Sequence, residues 1–149
     1  MAISFTGARD WLRDIRFQRP LGAVVETPNG KEHAVIGAAL HSETLECLLV
    51  IRNCETGAWS AVAPAAVKPT GDDEDLAPED IRFDDLSSVR HRKGGVYTRL
   101  RRLTSKDGEM VLYVAHADGI WWLRPSAMFE DGRFESSSEA VLGAGEIFG

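Results

Sequence analysis

The sequence predicts a mainly β protein: two small repeated β-barrel or β-roll (SH3-like) modules with a short N-terminal helix. Three observations carry the prediction. Helical spacing of apolar residues is confined to the stretch before Pro20. Beyond it, apolar residues fall in short runs bounded by turn residues, too short to stand as isolated helices. The order of those runs then recurs, at an offset that slides from 64 to 61 residues.

Each element has its own signal. Thr6 to Phe17, T-G-A-R-D-W-L-R-D-I-R-F, offers Thr6 as a cap and places Ala8, Trp11, Leu12 and Ile15 at helical spacing. Pro20 stops it. Two extended runs then flank Pro28-Asn29-Gly30, a strong hairpin signal. Glu46 to Arg52 reads as a buried apolar strand, and Trp59 to Val62 as the next, reached through Gly57. Downstream, R-H-R-K-G-G-V-Y-T-R-L-R-R-L turns at Gly94-Gly95. E-M-V-L-Y-V-A-H follows Lys106-Asp107-Gly108, and Asp118-Gly119 folds it back onto I-W-W-L-R.

Laid over one another, the halves align Gly30 with Gly94, His33 with Tyr97, and Ile36 with Leu100. Glu46 aligns with Glu109, Trp59 with Trp121 or Trp122, and Pro64 with Pro125. Length changes fall in turns, where chains tolerate them. The division is a helix over 1–20, module one over 21–69, an acidic linker over 70–87, module two over 88–135 and a tail over 136–149. In that tail Ile147 and Phe148 are available to dock.

Composition narrows the function classes. The chain has 149 residues, 44% hydrophobic, with net charge −6, which disfavours nonspecific attraction to nucleic acid or anionic membrane. No apolar run approaches the roughly 20 residues that span a bilayer. The N-terminus lacks an apolar signal core, so a cytoplasmic location with no membrane partner is expected. Cys47 and Cys54 lack metal-ligand spacing and read as reduced thiols. Asp72 to Asp85 holds eight acids and one base, and Arg90 to Lys106 seven cations and no acid. The plain reading is a solvated acidic linker neutralising its basic neighbour.

Two stretches carry a resemblance. V-I-G-A-A-L-H-S-E-T-L-E-C-L-L-V-I-R in module one resembles the centre of a small bacterial family, the domain of unknown function sixteen-fifty-three. H-R-K-G-G-V-Y and W-L-R-P-S-A-M-F in module two resemble its opening and close. The two modules that carry these motifs make up about two-thirds of the chain. Module one lacks an equivalent of Arg124, and module two keeps only Glu109 of the centre. The resemblance implies a small β-barrel or β-roll and no known activity.

The candidate sites follow. His41, Glu43 and Glu46 cluster before an apolar strand, but Ser42 is adjacent to His41 and side chains of neighbouring strand residues point apart, so no nucleophile–base pair is visible. A metal would need further ligands such as His33, which nothing in the spacing requires. The plain alternative is that His41, Ser42 and Thr44 shape a turn. In W-W-L-R-P, alternation sends Trp122 and Arg124 to one face and Trp121 and Leu123 to the other. Tyr97, Arg99 and Arg101 alternate onto one face likewise, and an aromatic beside a guanidinium suits a planar or anionic ligand.

Three readings compete. The first is a non-catalytic binding or adaptor protein that presents a surface to another protein. It matches the small bacterial or phage accessory proteins that inhibit a larger machine, anti-defence proteins among them. Its site is drawn from His41, Glu43, Glu46, Tyr97, Arg99, Arg101, Trp122 and Arg124, with no cofactor, no metal, no catalytic residue, and a homodimer as an option. The second binds a nucleotide or nucleic acid through the basic-aromatic face. The third is a small metal-dependent hydrolase built on His41, Glu43 and Glu46.

Overall fold

A serine starts the chain's one long helix. In the computed structural model, which describes residues 3–149, Ser4 accepts a hydrogen bond from the Gly7 amide at 3.0 Å. Helix α1 (Phe5–Gln18) therefore begins ahead of Thr6, the expected cap. Its buried residues, Ala8, Leu12 and Ile15, form one stripe. That stripe packs on the outer face of two strands, β2 (Glu32–His41) and β3 (Cys47–Asn53). Cover on both faces is why β3 reads as a continuous apolar run rather than an alternating one.

The remaining strands are β1 (Ala23–Glu26), β4 (Trp59–Val62), β5 (Lys68–Asp73), β6 (Ser87–His91), β7 (Val96–Ser105), β8 (Gly108–Ala115), β9 (Trp121–Pro125) and β10 (Phe134–Ser136). Helix α2 (Ser126–Phe129) and helix α3 (Ala144–Phe148) are short. Strand accounts for 42% of the chain and helix for 20%, so the mainly β class with its N-terminal helix stands.

The two halves do not close into separate barrels. β2-β3-β4 and β7-β8-β9 are antiparallel meanders, and they join edge to edge in parallel, β2 with β9 and β4 with β7. The result is one closed six-stranded barrel to which each half contributes three strands. The reason is physical: a three-stranded meander has an uncovered apolar face and two open edges, and joining two of them removes both problems. β1 and β5 extend the sheet beyond β2, and β6 and β10 extend it beyond β7.

Both long strands carry a bulge, between Val35 and Gly37 in β2 and between Arg99 and Arg101 in β7. Each bulge shifts the inward–outward alternation by one. In β2 this places the backbone of Gly37 under the Trp121 ring, where an added Cβ would lie 2.5 Å from a ring carbon. The barrel interior is filled by Ile36, Leu48, Val50, Leu100, Leu112, Trp121 and Leu123.

One end of the barrel is plugged, by segments expected to be polar and loose. The acidic stretch does neutralise its basic neighbour, Asp85 reaching Arg99 and Asp84 reaching Arg101, but it is anchored rather than a loose linker. Its first part is strand β5, paired with β1, and its later part buries Ile81 and packs Phe83 against the core. The tail closes the same end: Ile147 is 3% exposed, and its carbonyl accepts from the Trp121 indole at 2.8 Å. Phe83, Phe148 and Trp121 stack and cross at centroid distances of 5.4–6.2 Å. Among the described residues no helix is long and apolar enough to cross a membrane.

Candidate functional site

The turn that joins β2 to β3 answers what H-S-E-T-L-E is for. His41 Nδ1 accepts the amides of Glu43 at 3.0 Å and Thr44 at 3.3 Å, and Thr44 Oγ1 accepts the Glu46 amide at 3.2 Å. The turn from β3 to β4, N-C-E-T-G-A, is built the same way. Asn53 Oδ1 accepts the amides of Glu55 and Thr56 at 2.8 and 3.0 Å, and Thr56 Oγ1 accepts Ala58 at 3.2 Å. His41 thus takes the part an Asn plays in an Asx turn. Because Nδ1 accepts two amide hydrogens, the proton of the neutral ring lies on Nε2. Where the second turn uses Gly57 at positive φ, the first uses Leu45 at φ 62°, the one non-glycine in that region among the described residues.

This turn also frames a cleft. His41 and Glu46 meet the interior residues Leu48 and Ala61, the β4 end and following turn at Val62, Ala63 and Ala66, and the β7–β8 turn at Ser105, Lys106 and Asp107. The space is about 230 Å³, at the end of the barrel opposite the tail plug. Its floor is aliphatic and its rim carries Glu46, Lys106, Asp107 and the His41 ring. Of the predicted residues, His41 and Glu46 come together here. Glu43 sits exposed at the turn apex, where it accepts from Ser42 Oγ at 3.4 Å, and it does not line the cleft. Lys106 and Asp107 were read only as turn residues. Their part in the cleft depends on barrel closure, which local spacing does not encode.

The other candidates lie elsewhere. The Ser42 amide donates to the Leu123 carbonyl at 2.8 Å, so H-S-E-T and W-L-R-P are neighbours along the β2–β9 seam. Their side chains diverge, His41 toward the cleft and Arg124 toward the outer aromatic cluster, so they form no single groove. Ile120, two residues before Trp122, is buried beneath α1. Trp122 is half-buried and stacks on Phe5 at 6.0 Å. Arg124 Nε donates to the Tyr113 hydroxyl at 3.1 Å, and its guanidinium lies 5.4 Å from the centre of the Phe134 ring.

The expected shared face of Tyr97, Arg99 and Arg101 does not form. The β7 bulge turns Arg101 away, onto the Trp59 ring at 4.3 Å. Arg99 keeps company with Arg102, and both are neutralised. Arg99 pairs with Asp85 at 2.6 Å and Glu130 at 3.2 Å, Arg102 with Glu109 at 2.8 Å and Glu130 at 2.6 Å, and Arg101 with Asp84 at 3.7 Å. Tyr97 packs edge-on to Tyr113 and Phe134 at 5.4 and 5.8 Å.

Among the described residues no group of three His, Cys, Asp or Glu side chains is placed to hold a metal ion. His33 is at the far end of β2 from His41, its Nδ1 3.2 Å from the Lys31 carbonyl. Cys47 and Cys54 lie at opposite ends of β3 and are both free. Burial pushes the Cys47 thiol up to about 12. Cys54 is raised by desolvation and by the carboxylates of Glu74 and Glu32.

Comparison with family models, with curated proteins and with solved structures finds no match to this chain.

Proposed function

We propose that the protein is a non-catalytic binding module that takes one apolar side chain of a partner protein into the cleft at the barrel mouth. The observation that carries the reading is the meeting of an aliphatic floor, Leu48, Ala61 and Ala63, with a rim of opposite charges, Glu46, Asp107 and Lys106. At about 230 Å³ the space falls below the roughly 300 Å³ at which small-molecule pockets usually begin. It suits a single leucine, methionine or phenylalanine. Burying such a side chain supplies about 1.5–3 kcal/mol. That is short of the roughly 8 kcal/mol of a micromolar complex, so the partner must also touch the rim.

On this reading the two halves are diverged copies, and the resemblance to the bacterial family rests on residues that hold the turn and the seam. An inhibitor or adaptor of a larger assembly fits a rigid barrel with one small socket. The nucleic-acid reading loses its support where Asp84, Asp85, Glu109 and Glu130 already neutralise Arg101, Arg99 and Arg102.

The test is selection from a random peptide library on the full chain. Recovered peptides should share one large apolar anchor beside a basic residue. Ala66, exposed at the rim, gives the control. Ala66→Trp should fill the socket and weaken those peptides at least about tenfold, a loss of roughly 1.4 kcal/mol. Its unfolding midpoint should match the parent. Peptides that bind Ala66→Trp as well as the parent would remove the cleft from the account.

A further inference from the structure

A second site is marked by cations without a carboxylate partner that cluster around one pair of rings. Other cations unpaired among the described residues, such as Arg19, Lys31 and Lys68, lie apart from it. Arg13, Arg52, Arg90, Arg99, Arg101, Arg102 and Arg133 each have a carboxylate within 4.0 Å. Arg92, Lys93 and Arg124 have none among the described residues, and all three lie close enough to one imidazole, His91, for their charges to act on it, while Arg124 and His91 both meet the Phe134 ring. Arg124 lies 5.4 Å from its centre, and the His91 ring meets it edge-on at 5.0 Å. His91 opens the tight turn that carries Arg92 and Lys93, and its Nδ1 accepts the Lys93 amide at 3.1 Å. The Arg92 amide donates to the Arg133 carbonyl at 2.9 Å, which ties this turn to the strand of Phe134. Tyr97, 5.8 Å from Phe134, forms the other wall.

The charges are close enough to be felt. After burial, the positive charges of Arg124, Lys93, Arg133 and Arg92 hold His91 below the ordinary histidine range. Only Arg133 is answered, by Asp131 at 2.9 Å. Arg124 is the least expected of the group, because it is half-buried. Its Nε is used on Tyr113, and its terminal nitrogens meet no protein acceptor among the described residues. The terminal nitrogens of Arg124 thus face solvent beside the exposed Arg92 and Lys93, free to take an anion from outside, although the charges of Glu43 and Asp118 reach Tyr113 and Tyr97 nearby.

We propose that the corner between the His91–Gly95 turn and Arg124 binds the phosphate group of a small ligand, a phosphate monoester such as a nucleoside monophosphate. A guanidinium fork with two further cations matches a dianionic tetrahedral group better than a carboxylate, which one arginine satisfies. The half-buried His91 and Tyr97 rings border the site and offer contact to the rest of the ligand. A compact ligand is favoured over a nucleic-acid strand because the positive track ends here. The next arginines along β7 are held by Asp85 and Glu130. The site is on the outer face, separate from the barrel-mouth cleft, and stands whether or not the cleft binds a partner.

The experiment is a titration of the full chain followed by NMR, at ionic strength held constant with chloride. The probes are inorganic phosphate and adenosine monophosphate. Saturable shifts are expected at the amides of Arg92 to Tyr97 and at the Arg124 Nε–H, with the nucleotide at least as tight as phosphate. Arg92 and Lys93 are exposed on the turn. The double variant Arg92→Gln/Lys93→Gln should keep the parent unfolding midpoint and weaken both probes about tenfold or more. Arg124→Gln, with its midpoint measured alongside, should weaken them at least as much. Shifts reproduced by chloride alone, unsaturated shifts, or variants that bind like the parent would overturn the proposal. Binding of an oligonucleotide without binding of either small probe would overturn it too, in favour of nucleic acid.

Discussion

Gly37 has an ordinary backbone, so its lack of a side chain serves space rather than conformation. An added Cβ would sit 2.5 and 2.7 Å from two carbons of Trp121, which is 2% exposed and cannot swing away. Gly37→Ala should therefore destabilise the protein by about 1–3 kcal/mol, the usual cost of overfilling a packed core. A urea midpoint within error of the parent would mean that the ring has room to move. The thiols give a second test. Cys47 is fully buried and its thiol is pushed up to about 12, whereas Cys54 is exposed. Both are raised, so both carry less reactive thiolate at a given pH than a free cysteine. One thiol per native chain should react with a disulfide reagent near pH 8, slowly, and Cys54→Ser should abolish that phase. Two equivalents released at one rate from folded protein would contradict the burial of Cys47. At this scale much was legible: the turn reading of His41 and Thr44 rests on polar side chains that bond nearby amides, and N-C-E-T-G-A a few residues on folds the same way.

Strand positions were legible because each run is short, apolar and ended by a turn residue. The bulges were not. Nothing in T-R-L-R-R-L shows that Leu100 and Arg101 turn to the same side, and simple alternation therefore put Arg101 beside Arg99. The acidic stretch misled for a related reason: composition reports that its surface is charged but not that Ile81 and Phe83 beneath it reach the core. The tail misled less, since Ile147 and Phe148 stood out in a small-residue segment. Helix α3 now makes a testable element. It is too short to hold its shape alone, so its order comes from the Ile147 side chain and from the indole bond to the Ile147 carbonyl. Ile147→Ala removes most of the anchor and should cost about 2–5 kcal/mol. The carbonyl is untouched by the substitution, so a loss below about 1 kcal/mol would show that the backbone bond and Phe148 suffice.

The closed barrel makes a claim about the whole chain that two independent modules would not. Residues 1–75 carry α1, which covers the outer face of β2 and β3, but leave the inner face bare. Ile36, Leu48, Val50 and Trp59 would then meet water, at about 1.5–3 kcal/mol each. Their sum, roughly 6–12 kcal/mol, is comparable to the 5–15 kcal/mol by which a whole domain is stable. Residues 76–149 are worse placed, since Leu100, Leu112, Trp121 and Leu123 lose their facing layer with no long helix in compensation. Neither half should unfold cooperatively as a monomer. Co-expressed, they should recover a one-to-one complex, because β2–β9 and β4–β7 pairing needs only edges that both halves expose. Sedimentation together with urea unfolding of each fragment reads this directly. A half that stays monomeric and melts in one sharp transition would show that each meander can satisfy its own inner face. The barrel would then be an assembly of two finished modules, and the β2–β9 seam a contact between them rather than part of one core.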